Sequence, residues 1–276
     1  MNERDSGRGE VRAISSLTNP VIKDIRALAM KKERERTGLF TAEGLKLVTD
    51  AIDSGWDIRQ LVHSVKVRDQ TMVRRTIAAA QARGALVLEV TDAVLEKIAR
   101  RDNPQMVIGV FAQRWLRLAD LDPARQTLVI ALEGVKDPGN LGTVVRTADA
   151  VGASAVVLIG ETTDPFGTEA VRASMGSIFA RPLVRAGIDE FFDWAGAHRL
   201  PVVGTHLKGA VDYRAVEWRE PGILLMGNEQ SGLPQPIAER CDALVKIPMA
   251  GTADSLNLAI ATAVVAFEAR RGRLAL

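Results

Sequence analysis

The sequence predicts two successive α/β domains, residues 11–112 and 126–276, the second built on an open parallel sheet with helices on both faces. Three observations support this. A chain of 276 residues can enclose two modest cores. Its first half, after a polar start, alternates runs of helical and strand-like period. Its second half holds six short β-rich runs, several apolar on both faces as buried parallel strands must be, with helical stretches between most of them.

Taken in order, residues 1–10 are polar and charged and read as a disordered tail. Asn19-Pro20 reads as N-cap and first helical residue, because proline's missing N–H costs nothing there. Val21, Ile22, Ile25, Leu28 and Ala29 follow at helical spacing, so VIKDIRALAMKK is expected as one amphipathic helix. A second helix runs from about Glu43 to Asp53 and stops near Gly55. Strand IRQLVHS, helix TMVRRTIAAAQARG, strand ALVLEV, helix TDAVLEKIAR and strand MVIGVFA complete the domain. Residues 113–125, of mixed charge with a proline, read as a linker. Beyond it, TLVIALEG, SAVVLIG, RPLVRA, PVVGTH, GILLMGN and ALVKIPM are strands. The helices between and after them are TVVRTADAVG, TEAVRASMGSIFA, DEFFDWAGAHR, PQPIAERC and SLNLAIATAVVAFEARRG.

Composition removes several classes of function. Hydrophobic residues at 47% and charged residues at 25% suit a soluble globular protein. No apolar run approaches the ~20 residues of a membrane helix, and the opening MNERDSGRGEVR lacks the apolar core of a signal peptide. A single cysteine, Cys241, forbids an intrachain disulfide and fits a reducing cytoplasm. His63, His198 and His206 are scattered, so no metal is expected. The net charge of +2 hides an asymmetry: residues 1–118 carry 21 basic against 15 acidic groups (+6), and residues 119–276 carry 15 against 19 (−4). The basic half is the candidate for meeting a polyanion, with Lys23, Arg26, Lys31, Lys32, Arg34 and Arg36 as its densest cluster; the alternative is uneven solvated charge.

Ligands of an open parallel sheet bind in the loops at the carboxyl ends of its strands, and three such loops stand out. The first, Gly134-Val-Lys-Asp-Pro-Gly139-Asn140-Leu-Gly142-Thr-Val-Val-Arg146, is glycine-rich. Its glycines miss the dinucleotide pattern G-x-G-x-x-G, and Asn140-Leu141 stand where a P-loop needs Lys-Ser/Thr, so a dinucleotide- or ATP-using enzyme fails on its fingerprints. What remains is a tight turn with Asn140 at a helix start and Arg146 about two turns in; taken alone, Arg146 reads as a surface ion-pair partner, the commoner case for a lone helical arginine. The second loop, Gly227-Asn-Glu229-Gln-Ser231-Gly232, sets a carboxylate at a strand end. It reads otherwise as a plain turn, with Asn228 left-handed and Ser231 capping. The third, Ala250-Gly-Thr-Ala-Asp254-Ser255-Leu256-Asn257, leads into a long apolar helix for which Asp254 or Ser255 is a good N-cap. Asn257 is then unexplained, since asparagine is a poor residue inside a first turn.

DPGNLGTVVRTADAVGASAVVL, ILLMGNEQSGL and KIPMAGTADSLNLAIATAVVAFE resemble the three ordered motifs of the SpoU (TrmH-like) branch of the SPOUT RNA methyltransferases. NPVIKDIRAL, GLFTAEGLKLV and DNPQMVIGVF resemble, less specifically, the L30e-like substrate-binding domain common in that family. Gln230 departs from the pattern, where glycine is more usual. The resemblance implies a trefoil knot in the second domain, S-adenosylmethionine bound within it, and a homodimer with the RNA site at the interface. It implies 2′-O-methylation of ribose in ribosomal or transfer RNA, ribosomal RNA being preferred for the basic first domain. Carried over by motif, Asn140, Arg146, Glu229, Ser255 and Asn257 are catalytic. Backbone around Thr205, Leu225, Met226, Gly227, Ile247, Met249 and Leu256 lines the cofactor pocket. The family's general base is assigned to the counterpart of Arg146. Because a guanidinium keeps its proton, a bidentate phosphate clamp is the physical reading preferred here. Glu229 could accept the proton or orient Asn140. The rival reading is a non-catalytic RNA-binding or ribosome-assembly factor on the same fold.

Overall fold

The computed structural model describes residues 9–99, 104–207, 210–252 and 254–274. Most of the expected disordered tail, residues 1–8, lies outside them. The chain forms two compact units, residues 1–113 with 166–172, and residues 114–165 with 173–276.

In the first unit, strands β1 (Val11–Ile14), β2 (Leu39–Glu43), β3 (Ile58–Ser64), β4 (Leu86–Val90) and β5 (Val107–Ala112) lie in the order β1-β4-β3-β5-β2. β1, β4 and β3 are parallel; β5 is antiparallel to β3 and β2. The helices are α1 (Pro20–Ala27), α2 (Lys31–Thr37), α3 (Leu45–Asp53), α4 (Thr71–Ala82) and α5 (Asp92–Ala99). Ile22 and Ile25 of α1 and Val94 and Leu95 of α5 bury against Val62, Leu88 and Ile108 of the sheet. Asn19 caps α1 as its position implies, its Oδ1 accepting from Val21 N at 2.9 Å. The helix does not run on to Lys32, however. It ends at Ala27, and Met30 turns extended before α2 begins. The device that ends it is Arg34, whose Nη1 donates to Leu28 O at 2.8 Å and Ala29 O at 3.0 Å, closing the last turn of α1. β1 and β2 escape the sequence reading because each has at most five residues and no strong apolar run.

In the second unit all seven strands are parallel: β6 (Leu128–Glu133), β7 (Ala155–Ile159), β8 (Leu183–Ala186), β9 (Val202–Thr205), β10 (Val211–Asp212), β11 (Gly222–Met226) and β12 (Ala243–Lys246), ordered β10-β12-β9-β11-β6-β7-β8. Helices α6 (Pro138–Ala150), α8 (Ile188–Ala197), α9 (Gln235–Ala238) and α10 (Leu258–Ala269) connect or follow them, while α7 (Thr168–Ala173), between β7 and β8 in sequence, belongs up to Arg172 to the first unit. β6 and β7 are buried almost throughout, which is why their runs lack alternation. α6 begins five residues before the expected Thr143, because Asp137 caps it with its Oδ1 accepting from Asn140 N at 2.6 Å and Pro138 takes the first helical position. From Arg114 on, the stretch read as a linker belongs to this unit: Leu116 bridges Val184, and Leu118 and Leu121 are buried in the core. None of the described helices is long and apolar enough to cross a membrane.

Candidate active site

The loops after β6, β11 and β12 meet at the carboxyl ends of the strands. Glu229, after β11, turns its carboxylate to the loop after β6. Oε1 accepts from Asp137 N and from Asn140 Nδ2, and Oε2 from Lys136 N and Asn228 Nδ2, each at 3.2 Å. Asn140 Oδ1 in turn accepts from Asn257 Nδ2 at 2.9 Å, and Asn257 Oδ1 accepts from Ala259 N at 2.9 Å and Ile260 N at 3.3 Å. The direction of this chain is fixed at both ends. A carboxylate only accepts and a backbone N–H only donates, so both amides between them have one orientation. Three loops up to 117 residues apart in sequence are tied by one polar relay.

The relay revises the third loop. Asn257 is itself the N-cap of α10, with its side chain accepting from the first turn, and Asp254 and Ser255 lie upstream of the cap. The poor propensity of asparagine inside a helix therefore does not apply to it. The second loop is revised too. Asn228 is not left-handed; Gly232 takes the positive φ of 66°, and Asn228 and Gly232 close the turn by exchanging backbone hydrogen bonds. Asn228 Oδ1 accepts from Gln230 N at 2.9 Å, and Ser231 caps no helix. Gln230, where the family pattern favours glycine, sits without a positive φ.

Partial burial pushes the Glu229 carboxyl up, but its own backbone N–H, Asn140 Nδ2, and the N–H groups of Asp137 and Lys136 outweigh burial and hold it below the usual carboxylate range. Glu229 is thus held in its ionised form more firmly than an ordinary carboxyl. Ser255 lines the neighbouring cavity and is exposed. Arg146 lies on the exposed face of α6 and has no hydrogen-bond or ion-pair partner among the described residues. The ordinary alternative, a surface ion pair, finds no partner among the described residues.

A cavity of about 510 Å³ opens at the ends of β9, β11 and β12, within the size range of small-molecule sites. Of the residues expected to line it, Thr205, Met226, Gly227, Ile247, Met249 and Leu256 do. Leu225 does not: it is fully buried in the hydrophobic core, one residue short of the strand's end. Gly227 is needed at the rim, since a Cβ there would stand 2.1 Å from the Gly232 carbonyl carbon. Leu258, Ala261 and Val265 of α10 form a wall the sequence reading missed. The available signal was that α10 is apolar on every face, so more than one face must have a partner.

In the first unit the predicted polyanion contacts divide. Lys23 and Lys32 are exposed and without partners among the described residues. Lys31 faces Glu35 at 3.8 Å and Arg36 pairs with Glu33 at 2.8 Å. Arg26 is half-buried beside a separate cavity. Arg34 is a correction. At 5% exposure, with its guanidinium spent on two carbonyls, it supports α1 and presents nothing to a phosphate.

An all-parallel sheet with a cavity and three polar loops at its strand ends has the form of a ligand-binding α/β protein. The chain belongs to the SpoU rRNA Methylase family, which it matches over residues 127–267, and residues 19–109 match the MRM3-like substrate binding domain. It is 32% identical to the Bacillus subtilis 23S rRNA (guanosine(2553)-2'-O)-methyltransferase RlmP, over 94% of this chain and all of that one. It is 31% identical to the 23S rRNA (uridine(2479)-2'-O)-methyltransferase of Streptomyces viridochromogenes, over 90% of this chain and 88% of that protein. Among solved structures, the AdoMet-bound rRNA methyltransferase from Sinorhizobium meliloti superposes with a TM-score of 0.91 at 54% identity, covering 96% of this chain and 99% of that one.

Proposed function

We propose that this protein is an S-adenosylmethionine-dependent methyltransferase that methylates a ribose 2′-OH of ribosomal RNA. The observation that carries this is the relay from Glu229 through Asn140 to Asn257, which fixes three loops beside the cavity. The cavity suits the cofactor: apolar Met226, Ile247, Met249, Leu256 and Leu258 line it together with polar Thr205 and Ser255, and Gly227 lets the loop after β11 close tightly beside it. Thr205, Met226, Gly227, Ile247, Met249 and Leu256 would hold it. When bound, S-adenosylmethionine supplies an electrophilic methyl group on a sulfonium. The protein's task is to align the ribose oxygen with it and to stabilise charge developing on that oxygen.

Every described polar atom of Glu229, Asn140 and Asn257 that the relay uses faces protein, so we read these three as positioning residues that hold the loops. Arg146, charged and unpartnered, is the residue left to meet RNA, as a bidentate clamp on a phosphate beside the target ribose. Ser255, at the cavity wall, is read as a further contact to the reacting groups. The first unit, with Lys23 and Lys32 free, contributes RNA affinity. Two finer features belong to the same reading. The bond from Asn257 to Asn140 brings the segment after β12 back over β9 and β11 to the start of α6, which supports a knotted path. Ile260 and Phe267, 52% and 48% exposed, lie two turns apart on one face of α10, which supports a homodimer. A reducing cytoplasm suits the lone Cys241, a half-buried thiol pushed up to about 11 by burial and by Asp242.

The test is transfer of labelled methyl from S-adenosylmethionine to unmodified ribosomal RNA and to transfer RNA, followed by mapping of alkali-resistant linkages. Label at one ribose of large-subunit RNA is the expected result. Label only in transfer RNA corrects the substrate. Binding of RNA without transfer, and no thermal shift with S-adenosylhomocysteine, returns the non-catalytic assembly factor.

A further inference from the structure

Met175 is the most exposed large hydrophobic side chain among the described residues, at 71%, and its backbone is left-handed with φ 50°. Single exposed apolar residues are ordinary, but a non-glycine residue held at positive φ is not. Gly176 follows at φ 102°, so two successive residues take conformations that L side chains rarely adopt. The turn is nonetheless anchored on both sides. Ser174 is fully buried before it, and a 3-10 turn, Ser177–Phe179, follows it. Ser177 Oγ donates to Asp149 Oδ2 at 2.9 Å, and Arg181 Nε donates to Asp149 Oδ1 at 2.8 Å. A rigid base thus carries an unsupported tip, the arrangement in which backbone strain marks a working residue.

The anchor also places the tip. Asp149 lies on α6 three residues after Arg146, about one turn along the same flank. Arg181 reaches Ala153 O beyond the end of α6, so the chain passes Ser177 heading toward that end. Met175, two residues before Ser177, is thus carried by the segment that Asp149 holds to α6, one turn from Arg146. We propose that Met175 is a substrate-positioning residue that packs its thioether on a nucleobase next to the ribose served by Arg146. A flexible, polarisable side chain suits an aromatic face of variable identity, and packing there would set which flanking base is accepted. This rests on the reading of Arg146 as an RNA contact.

The experiment is steady-state methylation of unmodified large-subunit ribosomal RNA by wild type, Met175→Ala, Met175→Leu, Met175→Gly and Arg146→Lys. Without a long side chain packed on the base, KM for RNA should rise about five- to tenfold in Met175→Ala. The kcat and the affinity for S-adenosylmethionine should stay at wild-type values, and Met175→Leu should recover most of the loss. Met175→Gly should lose as much as Met175→Ala while melting no lower, because glycine relieves the backbone and removes only the tip. Wild-type KM in Met175→Ala or Met175→Gly would overturn the proposal. If that happens while Arg146→Lys has lost activity, the Met175 contact alone falls. Should Arg146→Lys keep wild-type activity, the reading beneath it falls and takes this proposal with it.

Discussion

The basic segment Lys23–Arg36 and the three-loop site respond differently to being folded. In the segment, folding consumes the signal. Arg34 turns inward to close α1, Glu33 and Glu35 answer Arg36 and Lys31, and Arg26 is half-buried, so six candidate cations reduce to two free ones among the described residues, Lys23 and Lys32. In the site, folding creates the signal. Asn140, Glu229 and Asn257 are ordinary as separate residues and become one directed relay only when the strand ends meet. A local charge cluster has its neutralising partners within a few residues, as helical spacing guarantees. Polar residues in separated loops have no such local partners, and their use is decided by topology.

The largest expected effect separates the relay from Arg146, a charged residue that stands outside it. Arg146→Lys keeps the charge and loses the planar fork, so single-turnover methyl transfer should fall by about a hundredfold or more. S-adenosylmethionine affinity should not change, because no residue of the cavity is touched. A wild-type rate would mean that Arg146 is ordinary surface, and the contrast between the two regions would lose its functional side.

Next comes the anchor of the relay. Glu229→Gln places an amide where four donors converge on a carboxylate, so one face of it must oppose another donor. The expected cost is about 1 kcal/mol after allowing for solvent exposure, with reduced methyl transfer as the loops loosen. The folded pKa of Glu229 lies below its unfolded value, so its contribution is complete above the unfolded pKa and is lost as pH falls through the folded one. Melting curves of wild type and variant should therefore differ at pH 7 and converge in acid, below the ordinary carboxylate range. A difference that persisted unchanged to low pH would show that charge is not what the anchor supplies.

Asn257 tests the relay's far end, and here the structure reverses the sequence expectation. Inside a helix, Asn257→Ala would be neutral or stabilising. As the N-cap of α10 it should instead cost about 1 kcal/mol, while Asn257→Ser keeps an acceptor for the first turn and should recover most of it. Both variants lose the donor to Asn140, so both should lose turnover. An Asn257→Ser protein with full stability and full activity would remove Asn140 from any dependence on α10.

Much of the scaffold was legible and the reasons are specific. IRQLVHS appears as β3 without a residue's error, because its bounds coincide with a turn before it and a proper cap after it. The six main strands of the second unit were legible because buried parallel strands are continuous apolar runs. β1, β2 and β10 were not, being short pieces whose pairing comes from neighbours far along the chain. In the site, the motif residues could be named, but not what they touch. Asp137 as cap, the N–H groups of Lys136 and Asp137 on Glu229, and the α10 wall of the cavity depend on loop geometry that no local pattern carries.

The smallest effect belongs to the basic segment, and it is the one that measures how far folding has discounted the sequence. Removing one cation that meets a phosphate should lower the salt slope of RNA binding by about 0.7 to 0.9, so Lys23→Ala with Lys32→Ala should flatten it by about two at most. Lys31→Ala with Arg36→Ala removes the same formal charge from groups already facing Glu35 and Glu33, and should flatten it less. Arg34→Ala should leave the slope alone and lower the melting temperature, since what it removes is the closure of α1. Measured across several salt concentrations, the three variants rank cations by availability rather than by number. Equal slopes for the first two pairs would mean that RNA opens the surface ion pairs on binding, and the sequence count would then be the better guide to affinity than the folded geometry.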